Sequence, residues 1–227
     1  MLKALNIVLS TISDIVELHQ GVVDKYNGDA VMALFGVPIK GTTDTANGMN
    51  VLLDITAALE KMDSGLSACV GITTGIVVAG NLDSSNRMNY SVIGDTVNLS
   101  ARLESLTRLY NVSNIVSEAS KDDAPNFAYR ELDIVCVAGK SQSVRIFELL
   151  GIQDELGRSK KLEVAAFSEA LKEYRSQNWY AAQEQFSCLQ LKCDNTLLYQ
   201  VFLDRIEIFR INPPQPNWQG EYVFGSK

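Results

Sequence analysis

Features that mark nucleic-acid binding, disulfide frameworks and membrane insertion are scarce in this sequence. Its 227 residues include 20 basic and 27 acidic side chains, for a net charge of −7, and the basic residues form no run. Because binding to a phosphate backbone depends on clustered lysine and arginine, this balance argues against nucleic-acid binding. The four cysteines show no C-x-x-C spacing, and we predict reduced thiols in a cytoplasmic environment.

A long apolar run is also missing. The most apolar window, residues 66–80, is interrupted by threonine and glycine and falls short of the length of about 20 residues that a membrane-spanning helix needs. We expect no membrane span and no signal peptide, and we place the chain in the cytoplasm, either as a cytoplasmic protein or as the cytoplasmic part of a membrane protein. Hydrophobic residues make up 46%, enough for one ordinary domain with an appendage.

Helical and strand patterns alternate over the first 150 residues. Apolar residues recur at helical spacing over 1–20, 43–62 and from residue 95 onward. Asn27-Gly28 stands between two apolar runs and predicts a hairpin over 21–35, because both residues tolerate positive φ. Strand pairs are predicted at 67–80, with a bend at Thr74-Gly75, and at 127–150, with a turn at 139–142. Single strands are predicted at 88–93 and 113–116, with polar loops at 81–86 and 121–126.

The composition changes after residue 150, where charged residues form a predicted linker. Two amphipathic helices at 164–174 and 179–191 and a third at 195–209 follow. The first two interlock like a tetratricopeptide helix pair through six residues, Phe167, Ala170, Tyr174, Trp179, Ala182 and Phe186. We therefore predict a domain at 1–150 and a helical extension at 151–227, which docks on that domain or on a second copy of it.

One stretch, residues 89–104, places two polar side chains on one helix face. Its sequence is N-Y-S-V-I-G-D-T-V-N-L-S-A-R-L-E, a short apolar strand, a Gly-Asp corner and a helix. Asn98 and Arg102 are four residues apart and can reach the same ligand, although surface helices often carry such a pair. Asp95 is expected to be the N-cap of this helix.

A second stretch, G-V-V-D-K-Y-N-G-D-A-V-M-A-L-F-G at residues 21–36, contains the predicted hairpin. Asp29 stands at its tip, and Lys25 lies close by on the incoming strand. A solvated turn with an unrelated lysine is an equally good interpretation of these residues alone.

These two stretches, together with V-G-I-T-T-G-I-V-V-A-G-N at residues 70–81, resemble the catalytic domain of class III adenylyl and guanylyl cyclases. The resemblance covers about the first two thirds of the chain, with the motifs in the family's order and spacing. It implies an α+β, ferredoxin-like fold and a homodimer with two sites at its interface, in which Lys25 and Asp29 face Asn98 and Arg102 of the neighbouring copy.

The resemblance also implies roles for individual residues. Asp29 matches one of two aspartates that hold a pair of Mg²⁺ or Mn²⁺ ions. Asn98 would orient the ribose, Arg102 would stabilise the transferring phosphoryl group, and Lys140, in the turn at 139–142, would hold the terminal phosphates.

Base selection in this family depends on two positions, here Lys25 and Ser91. Lysine can donate to N1 of adenine but meets the N1–H donor of guanine without an acceptor, and Ser91 can accept from the adenine amino group. The expected substrate is ATP, although Ser91 is also acceptable as a small strand residue without a substrate contact.

The chain departs from the family pattern at its start. Family members begin with a strand that carries the first metal aspartate, whereas this sequence opens at the following helix, and Asp14 falls within that helix. Loss of one carboxylate should weaken metal binding, and loss of a central strand should leave a gap or an exposed edge. We expect this chain to be inactive or weakly active. Smaller departures are Gln20, Asp83 and Ser100, where the family has glycine, glycine and alanine.

Three other interpretations remain. The same domain could act only as a dimerising or nucleotide-binding regulatory module, or residues 164–191 could define a tetratricopeptide-like interaction protein. A diguanylate cyclase would need a G-G-D/E-E-F motif, but Asn27-Gly28-Asp29 is followed by Ala30.

Overall fold

The described chain alternates helices with short and long strands. The computed structural model describes residues 2–62, 65–84, 87–136 and 143–223. In chain order its elements are α1 (Leu2–Leu18), β1 (Val22–Asn27), β2 (Ala30–Leu34), α2 (Asp44–Lys61), β3 (Val70–Ile72), β4 (Val78–Ser84), β5 (Arg87–Ile93), α3 (Asp95–Tyr110), β6 (Asn114–Ser117), α4 (Glu118–Asp123), β7 (Phe127–Cys136), β8 (Ser143–Ile152), α5 (Arg158–Arg175), α6 (Trp179–Lys192), α7 (Thr196–Ile211) and β9 (Glu221–Val223).

The strands within the described residues form three sheets. β1 with β2 and β4 with β5 make two antiparallel hairpins, and the remaining strands form a five-stranded sheet in the order β3-β6-β8-β7-β9. β3 runs parallel to β6 and β9 runs parallel to β7, whereas β8 is antiparallel to both of its neighbours. This combination of helices with a mixed sheet confirms the predicted α+β class.

The sheet edges bear on the predicted loss of a first strand. Among the described strands, β2 pairs with β1 alone and β3 pairs with β6 alone. Among the described strands, the hairpin and the mixed sheet therefore each keep an unpaired edge. The missing first strand itself stays a prediction.

Helices α1 and α2 pack together through one apolar stripe each. Val8 and Val16 of α1 are buried in one cluster with Val51, Ile55 and Leu59 of α2. The spacing of these residues brings them to one side of each helix, which the sequence pattern had predicted. The helices predicted at 1–20 and 43–62 are confirmed to within two residues at each end.

The turn of the β1–β2 hairpin lies one residue later than predicted. Asn27 pairs with Ala30, so the two turn residues are Gly28 and Asp29. Gly28 has a φ of +68°, a left-handed conformation that costs glycine little and suits a tight hairpin. Asp29 therefore stands at the tip, as predicted, and is exposed.

Three local predictions are wrong. Residues 81–84 continue β4 and pair with β5 instead of forming a loop. Residues 121–126 were also predicted as a loop, but their first half belongs to α4, which begins where the Ser117 hydroxyl accepts a hydrogen bond from the Ser120 backbone N–H at 3.3 Å. Asp95 is the first residue of α3, and the N-cap is Gly94, whose φ of +153° is one that residues with a side chain rarely adopt.

The C-terminal helices dock on this chain's own sheet and on α3. One core cluster contains buried residues from both parts of the chain, among them Leu103, Tyr110, Leu132, Phe167, Tyr174, Phe186 and Phe202. The rings of Phe186 and Phe202 stack with their centroids 4.8 Å apart, and aromatic pairs of this kind add to the stability gained from burial. The helices α5 and α6 pack through the predicted positions, and their tetratricopeptide-like character stays a prediction.

A short strand that the sequence did not predict also joins the C-terminal extension to the sheet. β9 pairs with the end of β7, with Ile134 opposite Glu221 and Cys136 opposite Val223. None of the helices in the described part of the chain is both long enough and apolar enough to cross a membrane.

A buried ion pair also joins the two parts of the chain. Arg205 of α7 donates to Asp133 of β7 at 2.5 Å, and Tyr110 of α3 donates to the same carboxylate oxygen at 2.6 Å. Burial by itself lowers the pKa of Arg205, but the Asp133 charge outweighs it and holds the pKa above its usual range. Burial and the Asp133 charge raise the pKa of Tyr110, which therefore remains a proton donor.

A second network connects β7 and β8 to the extension. Arg130 donates through Nε to Glu148 at 2.8 Å and through Nη1 to Glu163 of α5 at 2.6 Å. Tyr199 of α7 donates to the same Glu163 oxygen at 2.9 Å. Burial raises the pKa of Glu148 although the Arg130 charge opposes it. Both networks thus place hydrogen-bonded charges between the extension and the rest of the chain.

Candidate active site

Lys25 and Ser91 meet across two different hairpins. Lys25 Nζ donates to Ser91 Oγ at 2.8 Å, and Ser91 Oγ donates to Asp24 Oδ2 at 3.0 Å. Lys25 Nζ also lies 3.1 Å from the same Asp24 oxygen. The structure therefore brings together, within one chain, the two residues predicted to contact the base.

This cluster is buried on one side and open on the other. The Asp24 side chain is 1% exposed and Ser91 is 4% exposed, whereas half of the Lys25 side chain reaches solvent. The carboxylate therefore lies beneath the ammonium, shielded from water. A hydrogen bond in such a position is stronger than the same bond in water, and its geometry is better defined.

Asn98 and Arg102 share the exposed face of α3. The strand β5 carries Ser91 and leads through Gly94 directly into this helix. Both predicted residues are exposed, while Leu103 on the opposite side is fully buried in the core. The predicted pair therefore has the orientation needed to meet a ligand above the helix surface.

Close contacts with β3 and the segment that follows it hold α3 in place. Thr73 Oγ1 donates to the carbonyl oxygen of Thr96 at 3.0 Å, and Thr96 Oγ1 donates to the carbonyl oxygen of Ile76 at 3.2 Å. At Gly71 the helix backbone comes so near that a Cβ atom would lie 2.2 Å from the Ser100 carbonyl oxygen. A glycine is therefore required at this point for α3 to lie on the sheet.

Replacement of Gly71 by alanine should accordingly displace α3 and lower the free energy of unfolding by about 1–3 kcal/mol, the usual range for overpacking. The added methyl group would also lie 2.5 Å from the Glu104 backbone nitrogen. Both neighbours are backbone atoms of α3, so the helix itself would have to shift. Urea denaturation measures the change. Gly80→Ala is the matched control, because a Cβ atom there meets nothing within 4 Å. Equal stability of the two variants would contradict the prediction.

Asp29 is the residue that the sequence predicts to bind a metal ion. Within the described residues of one chain, no group of three or more His, Cys, Asp or Glu side chains could hold a metal ion. Mg²⁺, however, is often held by one or two carboxylates together with substrate phosphates. The exposed Asp29 carboxylate fits such a site, with triphosphate oxygens as further ligands. Lys140 lies outside the described residues.

Two surface features lie beside the predicted site residues. A cavity of about 140 Å³ is lined by Asp24 and by apolar residues, namely Val22, Val23, Leu34, Val37 and Pro38, and neither Asn98 nor Arg102 belongs to its wall. At the base of the β4–β5 hairpin, Val78 and Ile93 pair across the strands and are exposed together with nearby Ile76, which is 94% exposed.

Asp24 is a residue of this cluster that the sequence did not single out. In a regular strand, neighbouring residues point to opposite faces, so Asp24 and Lys25 would not be expected to act together. The register of β1 against β2 shifts between Val23 and Lys25, which is a β-bulge at Asp24. A bulge redirects a side chain, and nothing in the local sequence announces this one.

A family model describes the same part of the chain. Residues 1–151 match the model of the "Adenylate and Guanylate cyclase catalytic domain". An adenylate cyclase of Anabaena cylindrica is 32% identical in an alignment 163 positions long, and the match covers 65% of this chain and 32% of that protein. The chain spans a third or less of the length of the first curated relatives that it matches.

Solved cyclase structures share the fold. The crystal structure of the adenylyl cyclase CyaB from P. aeruginosa has a TM-score of 0.58 and 27% identity, covering 67% of this chain and 83% of that one. The guanylyl cyclase Cya2 has a TM-score of 0.54 and 28% identity, covering 69% of this chain and 83% of that one. Adenylyl and guanylyl enzymes are thus about equally similar, and similarity alone does not select the base.

Proposed function

Because this chain belongs to the family of adenylate and guanylate cyclase catalytic domains, we propose that it is an adenylate cyclase domain, which converts ATP to 3′,5′-cyclic AMP and pyrophosphate in a cyclic-nucleotide signalling pathway. The observation that carries this choice is the contact of Lys25 Nζ with Ser91 Oγ at 2.8 Å. It gives the base site a cation and a hydroxyl side by side.

The chemistry of the two residues favours adenine. The ammonium of Lys25 has donors only, so it can bind the unprotonated N1 of adenine but not the N1–H of guanine. Ser91 can accept from the 6-amino group of adenine. A site that donates and accepts at these two points leaves unpaired polar groups when guanine enters, which is a strong basis for discrimination.

In the proposed reaction the ribose 3′-oxygen attacks the α-phosphorus and the bond from that phosphorus to the pyrophosphate oxygen breaks. The proton of the 3′-hydroxyl passes to water, and pyrophosphate leaves. Negative charge grows on the phosphoryl and leaving oxygens, so positioning and fixed cations supply most of the catalysis. Asn98 orients the ribose, Arg102 stabilises the phosphoryl oxygens, and Lys140 holds the terminal phosphates. Arginine suits this role because it cannot lose its charge and offers several donors.

Asp29 would hold Mg²⁺ or Mn²⁺ together with the triphosphate. When bound, such ions neutralise charge on the phosphate oxygens. Because the chain presents one carboxylate where the family pattern has two, we expect weak metal binding and low turnover from these 227 residues. Cyclic AMP formation at a rate typical of an intact cyclase, measured with Mg²⁺ and with Mn²⁺, would contradict this expectation.

The proposed assembly is a homodimer with a site at each end of its interface. The evidence for this assembly is a group of exposed apolar residues, Ile76, Val78 and Ile93, at the base of the β4–β5 hairpin. A second copy of the chain would cover them. In this arrangement Asp29 of one copy serves the same triphosphate as Arg102 of the other. We further propose that residues 1–150 form the catalytic domain and 151–227 a helical extension.

Nucleotide binding tests the proposal directly. The chain is expected to bind ATP more tightly than GTP in a competition assay with a fluorescent ATP analogue. Lys25→Met should weaken ATP binding about tenfold or more, the effect of a lost charged hydrogen bond. Lys61→Met, which alters an exposed lysine at the end of α2, should leave affinity unchanged. A preference for GTP in the unaltered chain would overturn the choice of substrate.

A regulatory module is the second candidate function. The described residues contain no group of three or more metal-binding side chains, and a domain that binds nucleotide without holding two metal ions could still dimerise and respond to ATP. ATP binding together with no detectable cyclic AMP in Mn²⁺ would favour the regulatory role. Turnover that depends on Asp29 would favour the enzyme.

A further inference from the structure

Asp24 is a buried carboxylate to which the proposed reaction gives no role. Its side chain is 1% exposed and lies 3.1 Å from Lys25 Nζ, and it accepts the Ser91 hydroxyl at 3.0 Å. A buried carboxylate is costly unless it is paired and hydrogen-bonded. Lys25 and Ser91, which pair with it, are the residues that we propose contact the base.

The backbone is shaped to make this contact possible. In β1, Val23 faces Ala33 and Lys25 faces Met32, so Asp24 is an extra residue without a partner in β2. Such a bulge interrupts the strict alternation of side chains and lets consecutive residues act on one side. As a result, Asp24 and Lys25 both reach Ser91, which lies 66 positions beyond Lys25 in the sequence.

The hydrogen-bonding capacity of the three residues can be counted. A lysine ammonium has three donors, and a serine hydroxyl has one donor and two acceptor sites. Lys25 directs one donor to Ser91 and a second to Asp24, so one donor remains. Ser91 gives its proton to Asp24 and accepts from Lys25, so one acceptor site remains. The open edge of the cluster therefore offers one donor beside one acceptor.

We propose that Asp24 is a positioning residue that sets the base specificity of this site by fixing the direction of the Ser91 proton. The remaining donor and acceptor match N1 and the 6-amino group of adenine. Guanine and hypoxanthine present the reverse order, an N1–H donor and an O6 acceptor, and are rejected. The inference rests on the proposed function, since it concerns the same site.

Asparagine at position 24 would reverse this effect without changing the size of the side chain. Its amide nitrogen can donate to Ser91 Oγ, which frees the hydroxyl proton to point towards the ligand. Ser91 would then donate to O6 of hypoxanthine instead of accepting from the adenine amino group. Discrimination between the two bases should fall, although Lys25 and Ser91 are both still present.

The experiment measures the dissociation constants of ATP and inosine 5′-triphosphate for the full chain by competition with a fluorescent ATP analogue. The unaltered chain is expected to prefer ATP. Asp24→Asn should lower that preference about tenfold, the value of one hydrogen bond to a charged or fixed partner. Asp122→Asn is the matched control, because the Asp122 side chain is 63% exposed and pairs with Lys121. Both of these residues lie on α4, away from the strand that carries Asp24. Its preference should equal that of the unaltered chain.

A double-variant cycle separates positioning from general damage to the fold. In a Ser91→Ala background there is no hydroxyl to direct, so Asp24→Asn should cause no further change in the preference for ATP. The same loss in both backgrounds would overturn the inference. If the unaltered chain prefers ATP and Asp24→Asn keeps that preference, the inference fails while the proposed function stands. If the unaltered chain shows no preference for ATP, the proposed function itself fails.

Should Asp24→Asn not fold, the unaltered chain still decides the question. Purine riboside triphosphate and 6-methoxypurine riboside triphosphate both keep N1 free for Lys25, but the second places an acceptor oxygen where adenine has its amino group. Weaker binding of the methoxy analogue is expected from a Ser91 hydroxyl held towards Asp24. Equal or tighter binding would show that the hydroxyl turns freely and would overturn the inference.

Discussion

Replacement of Arg205 by methionine is expected to lower the free energy of unfolding by about 3–5 kcal/mol, the usual cost of removing one partner of a buried ion pair. The variant leaves Asp133, whose side chain is 1% exposed, without the cation that lies 2.5 Å from it. The Tyr110 hydroxyl and the Ile134 backbone N–H would still donate to the carboxylate, but neither carries a charge. Urea denaturation followed by tryptophan fluorescence measures the loss.

Two variants control this measurement. Arg210→Met removes an exposed arginine from the same helix and should change stability by no more than about 0.5 kcal/mol. The double variant Asp133→Asn/Arg205→Met removes both charges and keeps an acceptor for Tyr110, so it should recover about half or more of the loss. If Arg205→Met were no more costly than Arg210→Met, the ion pair would have no part in joining α7 to the sheet.

The same contacts connect the extension to the site. Tyr110 ends α3, the helix that carries Asn98 and Arg102, and the Arg205 guanidinium lies 3.7 Å from the ring centroid of Tyr222 in β9. Loss of Arg205 would therefore loosen one end of the helix that presents the proposed catalytic residues. The extension is in this sense part of the support of the site, in addition to any separate role that it has.

Local signals predicted the elements that depend on local interactions. The helices α1 and α2 follow from apolar periodicity, and the β1–β2 hairpin follows from a glycine that can adopt positive φ. β9 was not predicted, because its three residues are held by pairing with β7 and carry little signal of their own. Gln20 was noted as a departure from glycine, and the structure gives the reason for the family's preference: φ at this position is +62°.

The site was predicted residue by residue but not as an arrangement. Asn98 and Arg102 share a helix face because they are four residues apart, which the sequence alone determines. The contact of Lys25 with Ser91 depends on how two hairpins meet, and no spacing rule predicts it. Asp24 was missed for a related reason. In a regular strand the side chains of Asp24 and Lys25 would point to opposite faces of the sheet, and the sequence does not show the bulge that brings them together.

Replacement of Arg102 by alanine is expected to lower the rate of cyclic AMP formation on the order of 10²–10³-fold, the usual effect of removing one group that stabilises developing charge in the transition state. ATP affinity should fall much less, because the charge that Arg102 is proposed to meet grows only as the phosphoryl group transfers. The assay uses radiolabelled ATP with Mn²⁺, and each variant is compared with the unaltered chain at the same concentration.

Arg108→Ala is the matched control for this experiment. Arg108 lies on the same helix, with its side chain 66% exposed and paired with Glu104 at 2.8 Å. An exposed pair of this kind contributes little to stability, so the variant should keep both its fold and its activity. If both substitutions lowered the rate of cyclic AMP formation equally, Arg102 would have no specific role in the reaction.

A mixing experiment then tests whether the site is shared between copies. Asp29→Asn and Arg102→Ala should each be inactive alone, because every site in either homodimer lacks one group. In an equal mixture about half of the dimers would contain one copy of each, and one of their two sites would have both groups, so about a quarter of the original activity should return. Asp29 and Arg102 acting within one chain would give no recovery, since each copy would still carry one defect. Recovery of activity would therefore show that Asp29 and Arg102 of different copies act in the same site.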